Sequence, residues 1–448
     1  MQLIVALFLA VFAVTFVFGN DEIKRLPGLK NNINFKHYSG YLQVSETHFL
    51  HYWFVESQND PANDPLIFWY NGGPGCSSLL GLLTEMGPYE INSNGKTLHE
   101  NPNAWNKFAS VVYIEAPAGV GYSFSTDGNT TTNDDQTAIE NYEGIKQFFM
   151  RHRSFRNHST FITGESYGGI YLPMLASQII NGQNDYAINF GGMAIGNGLL
   201  SDKLSSETTL PFMYYHGMIG ETLWNQIQKD CCDGCIETCD FSNVTGKCYR
   251  IIGSVENNNY GLNPYNIYDI CDPNSKHNSR RFYAYQEKLV PKQFQFFKGG
   301  LKTNKDPCME DTQITSYMNL PYVRRALHIL KDLPEWEECS GVGYQRQYND
   351  MTTFFKKILE AKVPILLYYG DVDMVCNFMH GQKFVSQLGL QIKKEQTLWE
   401  FNDQTAGFQT VYEGLTFITI RGAGHMAPGW KAPQTYYALK QFVSNQPI

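Results

Sequence analysis

The stretch "STFITGESYGG", residues 159–169, decides the fold. It begins with β-branched and aromatic residues, which are typical of a buried strand, and continues as G-x-S-x-G around Ser166. A serine in a tight turn between a strand and a helix is raised clear of the sheet edge, and small flanking residues allow such a turn. An ordinary glycine turn has the same pattern, so the rest of the chain must supply the partners of a nucleophile.

This kind of turn requires an acid and then a histidine further along the chain. Asp371 and Asp373 both follow the apolar run "VPILLYY", and their positions alone do not decide between them. His425 follows another apolar run in "ITIRGAGHMAP", where a glycine loop can present an imidazole over the sheet edge. His380 has the setting of a polar residue on a helix. We therefore predict a catalytic triad of the serine, one of the two aspartates and His425.

Short apolar runs recur along the chain and alternate with stretches of helical periodicity. The runs that we interpret as buried strands lie at 65–70, 110–116, 159–163, 192–198, 363–369 and 415–420. Helical spacing follows the second run and recurs near the C-terminus, and residues 38–56 have the pattern of an antiparallel hairpin. This alternation predicts an α/β fold with a central, mostly parallel sheet and helices on both faces.

Residues 201–310 interrupt this alternation, since they are rich in Asn, Tyr and Cys and have weak periodicity. We interpret them as a cap inserted over the active edge of the sheet, which divides the core into residues 20–200 and 311–448. An independent domain is the alternative. Within this segment, residues 281–306 are basic and loop-like, as expected of a proteolytic processing site.

The first 19 residues contain no acid and no base, and their apolar run is shorter than a membrane-spanning helix requires. Residues 1–19 therefore predict a signal peptide, with an uncleaved anchor as the alternative, and we expect a lumenal or secreted protein without a membrane span. The sequons at Asn129, Asn157 and Asn243 fit that compartment. The ten cysteines should be mostly paired there.

The charge of the chain argues against a nucleic-acid partner. Net charge is −8, and no basic cluster stands out along the 448 residues. A zinc site at Cys232-x-x-Cys235 has the spacing of a ligand pair, but an oxidising compartment and the lack of a nearby histidine argue against it. We therefore predict neither a metal nor a cofactor.

Four stretches in the right order, "NGGPGCSS", "GESYGG", "GDVDMVCNF" and "GAGHMAP", resemble the serine carboxypeptidase family. The likeness extends over nearly all of the chain from Asp21, and "APAGVGYS" and the paired cysteines at 231 resemble a lysosomal member. The resemblance implies an α/β-hydrolase fold and, as the triad acid, the second aspartate of "GDVD", which is Asp373. It also implies a serine-type carboxypeptidase that releases C-terminal residues from peptides at acidic pH through an acyl-enzyme, in the lysosome or outside the cell.

The same likeness implies two further properties, which are protection of lysosomal glycosidases and assembly as a homodimer. Two alternatives of other classes remain. One is an esterase or acyltransferase on the same fold, and the other is a protein whose main task is to bind and protect a partner.

Two backbone donors are needed to stabilise the oxyanion that forms during attack by the serine. The turn supplies the N–H of Tyr167, and the resemblance assigns the second donor to Gly73 in "WYNGGPGCSS". The resemblance also implies a set that binds the substrate's free C-terminal carboxylate, namely Trp69, Asn71, Gly72, Glu85 and Glu165. Because crowded carboxyls have raised pKa values, we expect the two glutamates to be protonated and to donate hydrogen bonds in acid.

By resemblance, Cys76 pairs with Cys339, Cys271 with Cys308, and Cys231 with Cys248. Cys232 then bridges to Cys235 or to Cys239, and this choice stays open. The resemblance places the Cys376 thiol in the substrate pocket. With Val375 and Met426 it would make that pocket largely apolar, so we expect a preference for hydrophobic residues near the cleaved bond.

Overall fold

The fold is built around one mixed, eleven-stranded sheet in a computed structural model that describes residues 21–448, except 237, 238, 240, 242, 243, 259–261 and 271–311. The predicted signal peptide, the Asn243 sequon, the Cys271–Cys308 pair and the processing segment 281–306 lie outside the described residues.

The strands are short and almost entirely buried in the middle of the sheet. Their bounds are β1 His37–Gln43, β2 His48–Val55, β3 Leu66–Tyr70, β4 Tyr89–Ile91, β5 Leu98–Glu100, β6 Ser110–Ile114, β7 Phe124–Ser125, β8 Thr132–Asn133, β9 Thr160–Glu165, β10 Phe190–Gly196, β11 Tyr344–Gln345, β12 Ile365–Gly370, β13 Ile392–Phe401, β14 Gln404–Tyr412 and β15 Leu415–Ile420.

The main sheet has the strand order β1-β2-β6-β3-β9-β10-β12-β15-β14-β13, with β7 paired to β2. The six strands from β6 to β15 in this order are parallel, and they correspond to the six apolar runs of the sequence. Antiparallel pairs close both edges, and the predicted hairpin forms β1 and β2. The prediction of a central, mostly parallel sheet is confirmed, whereas the hairpin of β13 and β14 was not predicted.

Helices cover both faces of the sheet. The α-helices are Asp134–Arg151, Gly168–Asn181, Asp202–Tyr215, Glu221–Cys231, Gly246–Asn258, Thr312–Met318, Pro321–Ala326, Thr352–Glu360, Phe378–Gln387, Ala427–Trp430 and Ala432–Val443. A π-helical turn spans Gly81–Glu85, and 3-10 turns span Trp105–Lys107, Arg153–Phe155 and Gly182–Asn184. No helix in the described part of the chain is both long and apolar enough to span a lipid bilayer.

The alternating side chains of the central strands build two hydrophobic cores. In β3, Phe68 points into the core beneath the helices Asp134–Arg151 and Gly168–Asn181, whereas Trp69 points into the opposite core, which includes residues of Ala432–Val443. Since both faces of a parallel sheet are buried, continuous apolar runs are expected in its strands. This explains why the runs were readable in the sequence.

A third hydrophobic cluster lies in the helical segment inserted after β10. It combines residues of the helices Asp202–Tyr215, Glu221–Cys231 and Gly246–Asn258, and it also includes Val372 and Met374 from the loop after β12. Disulfides Cys231–Cys248 and Cys232–Cys239 tie this segment together. The boundaries 201–310 stay a prediction.

Candidate active site

Ser166 lies in a sharp turn between β9 and the helix that begins at Gly168. Its φ of 59° is in the left-handed region, which a non-glycine residue adopts only where the surroundings hold it. A Cβ at Gly164 would lie 2.2 Å from the carbonyl oxygen of Tyr70, and one at Gly169 would lie 2.4 Å from that of Leu199. The glycines around the serine are therefore required by close backbone contacts, as the sequence pattern predicted.

Asp373 is fully buried in the loop after β12, and its carboxylate accepts several hydrogen bonds. Oδ1 accepts from Val375 N at 2.9 Å, and Oδ2 accepts from Cys376 N at 3.1 Å and from Asn197 Nδ2 at 3.0 Å. A carboxylate with several N–H donors is stabilised in its charged form. Among the described residues, the loop thus holds this buried acid with neutral N–H donors.

The buried His425 ring meets this carboxylate, with Nδ1 2.7 Å from Asp373 Oδ2. Because the carboxylate accepts at that position, Nδ1 carries the proton and donates it, and a neutral ring then has its lone pair on Nε2. Nε2 is buried and makes no hydrogen bond to any described residue. This leaves Nε2 available to accept a proton from a hydroxyl group.

Asp371, the competing acid, has a different environment. Its Oδ1 accepts from Gly422 N at 2.6 Å, and burial raises its pKa. It lines a cavity of about 560 Å³ together with His216, Tyr268 and Arg421. Asp371 makes no hydrogen bond to His425 in the described structure, so the geometry favours Asp373 as the partner of the imidazole.

The inserted segment contacts both of these loops through its backbone. Met374 N donates to Pro264 O at 3.0 Å, and His425 N donates to Tyr265 O at 2.7 Å. The Tyr265 ring lies 5.0 Å from the His425 ring, centroid to centroid, at an angle of 65°. The acid and the histidine are therefore both tied to the same short stretch of the insertion.

The glycine stretch after β3 packs directly against the serine turn. A Cβ at Gly72 would lie 2.4 Å from Tyr167 N and 2.7 Å from Ser166 Cβ, so only glycine permits this approach. Gly73 has a φ of 110°, which also favours glycine. The loop and the serine turn are therefore adjacent, as the prediction of Gly73 and Tyr167 as a donor pair requires.

The disulfide Cys76–Cys339 closes the same loop, and it is present as predicted. Cys231–Cys248 is also present, and Cys232 pairs with Cys239 rather than with Cys235. Because the Cys232 sulfur is bonded to another sulfur, it is not part of a Cys232-Cys235 zinc pair. Groups of three or more residues suited to hold a metal are absent from the described residues.

Behind the glycine loop, four predicted carboxylate-binding side chains are brought together and buried. Trp69 Nε1 donates to Asn71 Oδ1 at 2.7 Å, and Gly81 N donates to the same oxygen at 3.2 Å. These contacts orient the Asn71 amide, whose Nδ2 then donates to Glu165 Oε1 at 2.9 Å. Trp69 thus positions Asn71 in this state.

Glu85 and Glu165 have strongly perturbed protonation. Burial raises the pKa of Glu85 to about 8. Burial, followed by the nearby charge of Glu85, raises the pKa of Glu165 well above its ordinary value. No cationic side chain of the described residues acts on either carboxyl, so a proton is the available means of removing the charge.

Three oxygens of these two carboxyls, both of Glu85 and Oε2 of Glu165, are buried and accept no close hydrogen bond in the described structure. The two carboxyls interact with each other, and Glu85 also interacts with Asn71, through weak side-chain hydrogen bonds. Buried polar atoms are normally paired, and an unpaired cluster indicates a site for a polar ligand. The mutual interaction of the two carboxyls places the Glu85 and Glu165 side chains next to each other.

The residues predicted for an apolar substrate pocket lie beside the acid and the histidine. Val375 and Met426 are partly exposed, whereas Cys376 is buried and outside any disulfide. Burial raises the pKa of the Cys376 thiol well above its ordinary value. Among the sequons, Asn129 and Asn157 are exposed, as a glycan would require.

The sequence analysis missed Asn197 and misread the setting of His380. Asn197 follows β10 directly, so a polar residue at the end of a predicted strand was the available signal. His380 lies on the helix Phe378–Gln387 but is fully buried, and its Nε2 accepts from Leu200 N at 3.2 Å and from Ser201 N at 3.1 Å. A buried histidine thus anchors the loop that follows Asn197.

Residues 27–445 match the model of the serine carboxypeptidase family. The chain belongs to this family and is a serine-type carboxypeptidase with an α/β-hydrolase fold. It is 41% identical to the lysosomal protective protein of Mus musculus over 460 residues, which cover 95% of this chain and 94% of that protein. It is 37% identical to a serine carboxypeptidase of Caenorhabditis elegans over 464 residues, which cover 100% of this chain and 98% of the relative.

A solved structure supports the same fold. The prohormone-processing carboxypeptidase Kex1 of Saccharomyces cerevisiae superposes with a TM-score of 0.71 at 21% identity, covering 94% of each chain. At this identity the likeness concerns the fold.

Proposed function

We propose that this carboxypeptidase cleaves the last peptide bond of its substrates with Ser166, His425 and Asp373. Ser166 attacks the scissile carbonyl, His425 Nε2 takes the hydroxyl proton and returns it to the leaving amine, and Asp373 holds the proton on Nδ1. The observation in support is the 2.7 Å contact between His425 Nδ1 and Asp373, together with the available Nε2.

The oxyanion that forms during attack is stabilised by the backbone N–H groups of Gly73 and Tyr167. Each donor of this kind contributes about 3 kcal/mol of transition-state stabilisation. The packing of Gly72 against Tyr167 N supports this assignment, because it holds the glycine loop and the serine turn in contact.

The single observation that carries the specificity is the buried, interacting pair of Glu85 and Glu165, with three carboxyl oxygens that accept no close hydrogen bond. We infer that the substrate's terminal carboxylate binds here, held by the protonated glutamates, the Asn71 amide and the Gly72 N–H, with Trp69 orienting Asn71. A protonated carboxyl donates a hydrogen bond to a carboxylate, whereas an ionised one repels it. Binding therefore requires pH low enough for the pair to be neutral.

A comparison of two substrates tests this proposal. The peptide with a free C-terminus and the same peptide with a C-terminal amide are digested at about pH 5 and about pH 8, and the products are weighed over time. We expect single residues to be released from the peptide with a free C-terminus. The cleavage rate of this peptide should fall much more at the higher pH than the cleavage rate of the amide. Equal losses for both substrates would contradict recognition by protonated glutamates, and products from internal cleavage would contradict exopeptidase action.

We also propose that the protein follows the secretory route and acts in an acidic environment, either in the lysosome or outside the cell. The three disulfides among the described residues and the exposed sequons at Asn129 and Asn157 support a secretory route, and the similar relatives include one named lysosomal protective protein. Protection of lysosomal glycosidases and homodimer formation are proposed on that relative's name and on the family resemblance. Co-purification of the Ser166→Ala protein with a lysosomal glycosidase tests the protective role independently of catalysis.

A further inference from the structure

Asn197 lies buried at the centre of the contacts that hold Asp373. Its Nδ2 is 3.0 Å from Asp373 Oδ2, and it is 3.3 Å from the carbonyl oxygens of Gly370 and Cys376. The same Oδ2 accepts from His425 Nδ1. Asn197 is therefore hydrogen-bonded to the oxygen that faces the imidazole.

The orientation of the Asn197 amide follows from its other contact. Gly370 N lies 2.8 Å from Asn197 Oδ1, and a backbone N–H can only donate, so the carbonyl end of the amide must face it. The NH₂ end is then directed at Asp373. The reverse orientation would place two donors against each other and an oxygen against a carboxylate.

Asn197 differs from the other donors in where it is attached. Val375 N and Cys376 N belong to the same loop as Asp373, and they move with it. Asn197 instead follows β10, and its own N–H donates to Tyr368 O on β12 at 2.9 Å. Its amide thus fixes the carboxylate relative to the sheet, which also carries the serine turn.

The backbone of Asn197 restricts which residue can do this. Its φ of 36° is positive, a region that asparagine, aspartate and glycine occupy more readily than other residues. Of these three, only asparagine offers both a carbonyl for Gly370 N and an N–H for a carboxylate.

We propose that Asn197 is a positioning residue that orients the Asp373 carboxylate, so that Oδ2 stays aimed at His425. This inference rests on the proposed role of Asp373 as the triad acid. Loss of the donor leaves a less restrained carboxylate, which no longer holds the His425 ring in one orientation.

Two variants test the proposal with the full-length enzyme. Asn197→Gly keeps the positive φ and removes the amide, and Asn197→Asp keeps an acceptor for Gly370 but replaces the donor. Asn377→Asp is the matched control, because Asn377 is equally buried and caps the helix at Phe378 through His380 N, without a contact to Asp373. Asp373→Asn is measured alongside.

We expect both Asn197 variants to lower kcat by about ten- to hundredfold at unchanged KM, the rate equivalent of one charge-assisted hydrogen bond. The downfield proton resonance of His425 Nδ1 should shift or broaden, because this proton lies in the hydrogen bond to Asp373 Oδ2. The Asn377→Asp control should keep the kcat, the KM and the His425 proton resonance of the wild-type enzyme.

Other outcomes distinguish the role of Asp373 in the triad from the positioning role of Asn197. If Asp373→Asn keeps full activity, the proposed triad itself is wrong. If it is inactive while both Asn197 variants keep kcat within about twofold, less than the loss of one hydrogen bond would cause, only the positioning role is overturned. If both variants lose cooperative unfolding while the control does not, Asn197 serves the stability of the loop, and the proposal is likewise overturned.

Discussion

Asn71 Nδ2 lies 2.9 Å from Glu165 Oε1, and this one contact joins the glycine loop after β3 to the residue directly before the serine. It occupies Oε1 of Glu165, whose carboxyl also interacts with Glu85. In the proposed mechanism, substrate recognition and placement of the nucleophile are therefore coupled through two adjacent residues, Glu165 and Ser166.

The first prediction concerns the alkaline limb of activity. In the wild-type enzyme, kcat/KM for peptides with a free C-terminus should fall by up to about tenfold per pH unit once the glutamate pair ionises. The double variant Glu85→Gln/Glu165→Gln cannot ionise there, so it should lose this limb while being less active in acid. Measured pH profiles check this, and Glu140→Gln, at another buried carboxyl, serves as the control with an unchanged profile.

The second prediction concerns the nucleophile. Ser166→Ala should lower kcat by about five to six orders of magnitude, because the hydroxyl that attacks the carbonyl is removed. Ser386→Ala, on an exposed part of the helix Phe378–Gln387, should keep wild-type turnover. Steady-state kinetics with matched active-site concentrations measure both, and near-normal turnover of Ser166→Ala would disprove the assignment.

The third prediction concerns stability as a function of pH. Because their pKa values are raised, Glu85 and Glu165 keep their protons in the folded state. In the unfolded chain, both glutamates release these protons above pH 4.5, the ordinary pKa of a glutamate. The contribution of Glu85 to the free energy of unfolding is present in acid and is lost as pH rises from about 4.5 to about 8, and the contribution of Glu165 is lost in the same direction. Glu85→Gln should therefore flatten the decline of Tm over that range, as thermal unfolding at several pH values would show.

Buried histidines act in the opposite direction. Burial lowers the pKa of His37 and His152 to about 4 and that of His380 to about 3. They are neutral in the fold, whereas the unfolded chain protonates them below 6.5, so their contribution is lost as pH falls from 6.5 towards these values. As pH falls from 6.5 to about 3, the free energy of unfolding of a His380→Gln variant should therefore decrease less than that of the wild type.

The fourth prediction concerns Asp134, at the start of the helix Asp134–Arg151. Its buried carboxylate accepts from Tyr167 OH at 2.7 Å, Tyr344 OH at 2.8 Å and Gln347 N at 2.6 Å. Asp134→Ala leaves these donors unpaired and should lower the free energy of unfolding by about 3 kcal/mol. Asp135→Ala, at the more exposed neighbour, should cost less than about 1 kcal/mol, and denaturant titration compares the two.

The parallel core of the sheet was predictable because each of its strands is buried on both faces and is therefore apolar throughout. The hairpin of β13 and β14 was not, since its outer residues, among them Leu398 and Phe408, are exposed and mixed with charged ones. Asp373 was identified over Asp371 through resemblance, because both follow the same strand and only the loop geometry separates them. Asn197 was missed because its role depends on a carboxylate 176 residues away in sequence.

The inserted segment restricts which sequence changes the loops of Asp373 and His425 can accept. Pro264 and Tyr265 present consecutive carbonyl groups, one to the loop of the acid and the other to the loop of the base. Pro264 and Tyr265 form a clamp on the two loops, and the backbone conformation of this clamp must be kept. Changes elsewhere in the inserted segment can alter the entrance for new substrates. Diversification of specificity in this enzyme is therefore expected to spare that clamp while altering the helices around it.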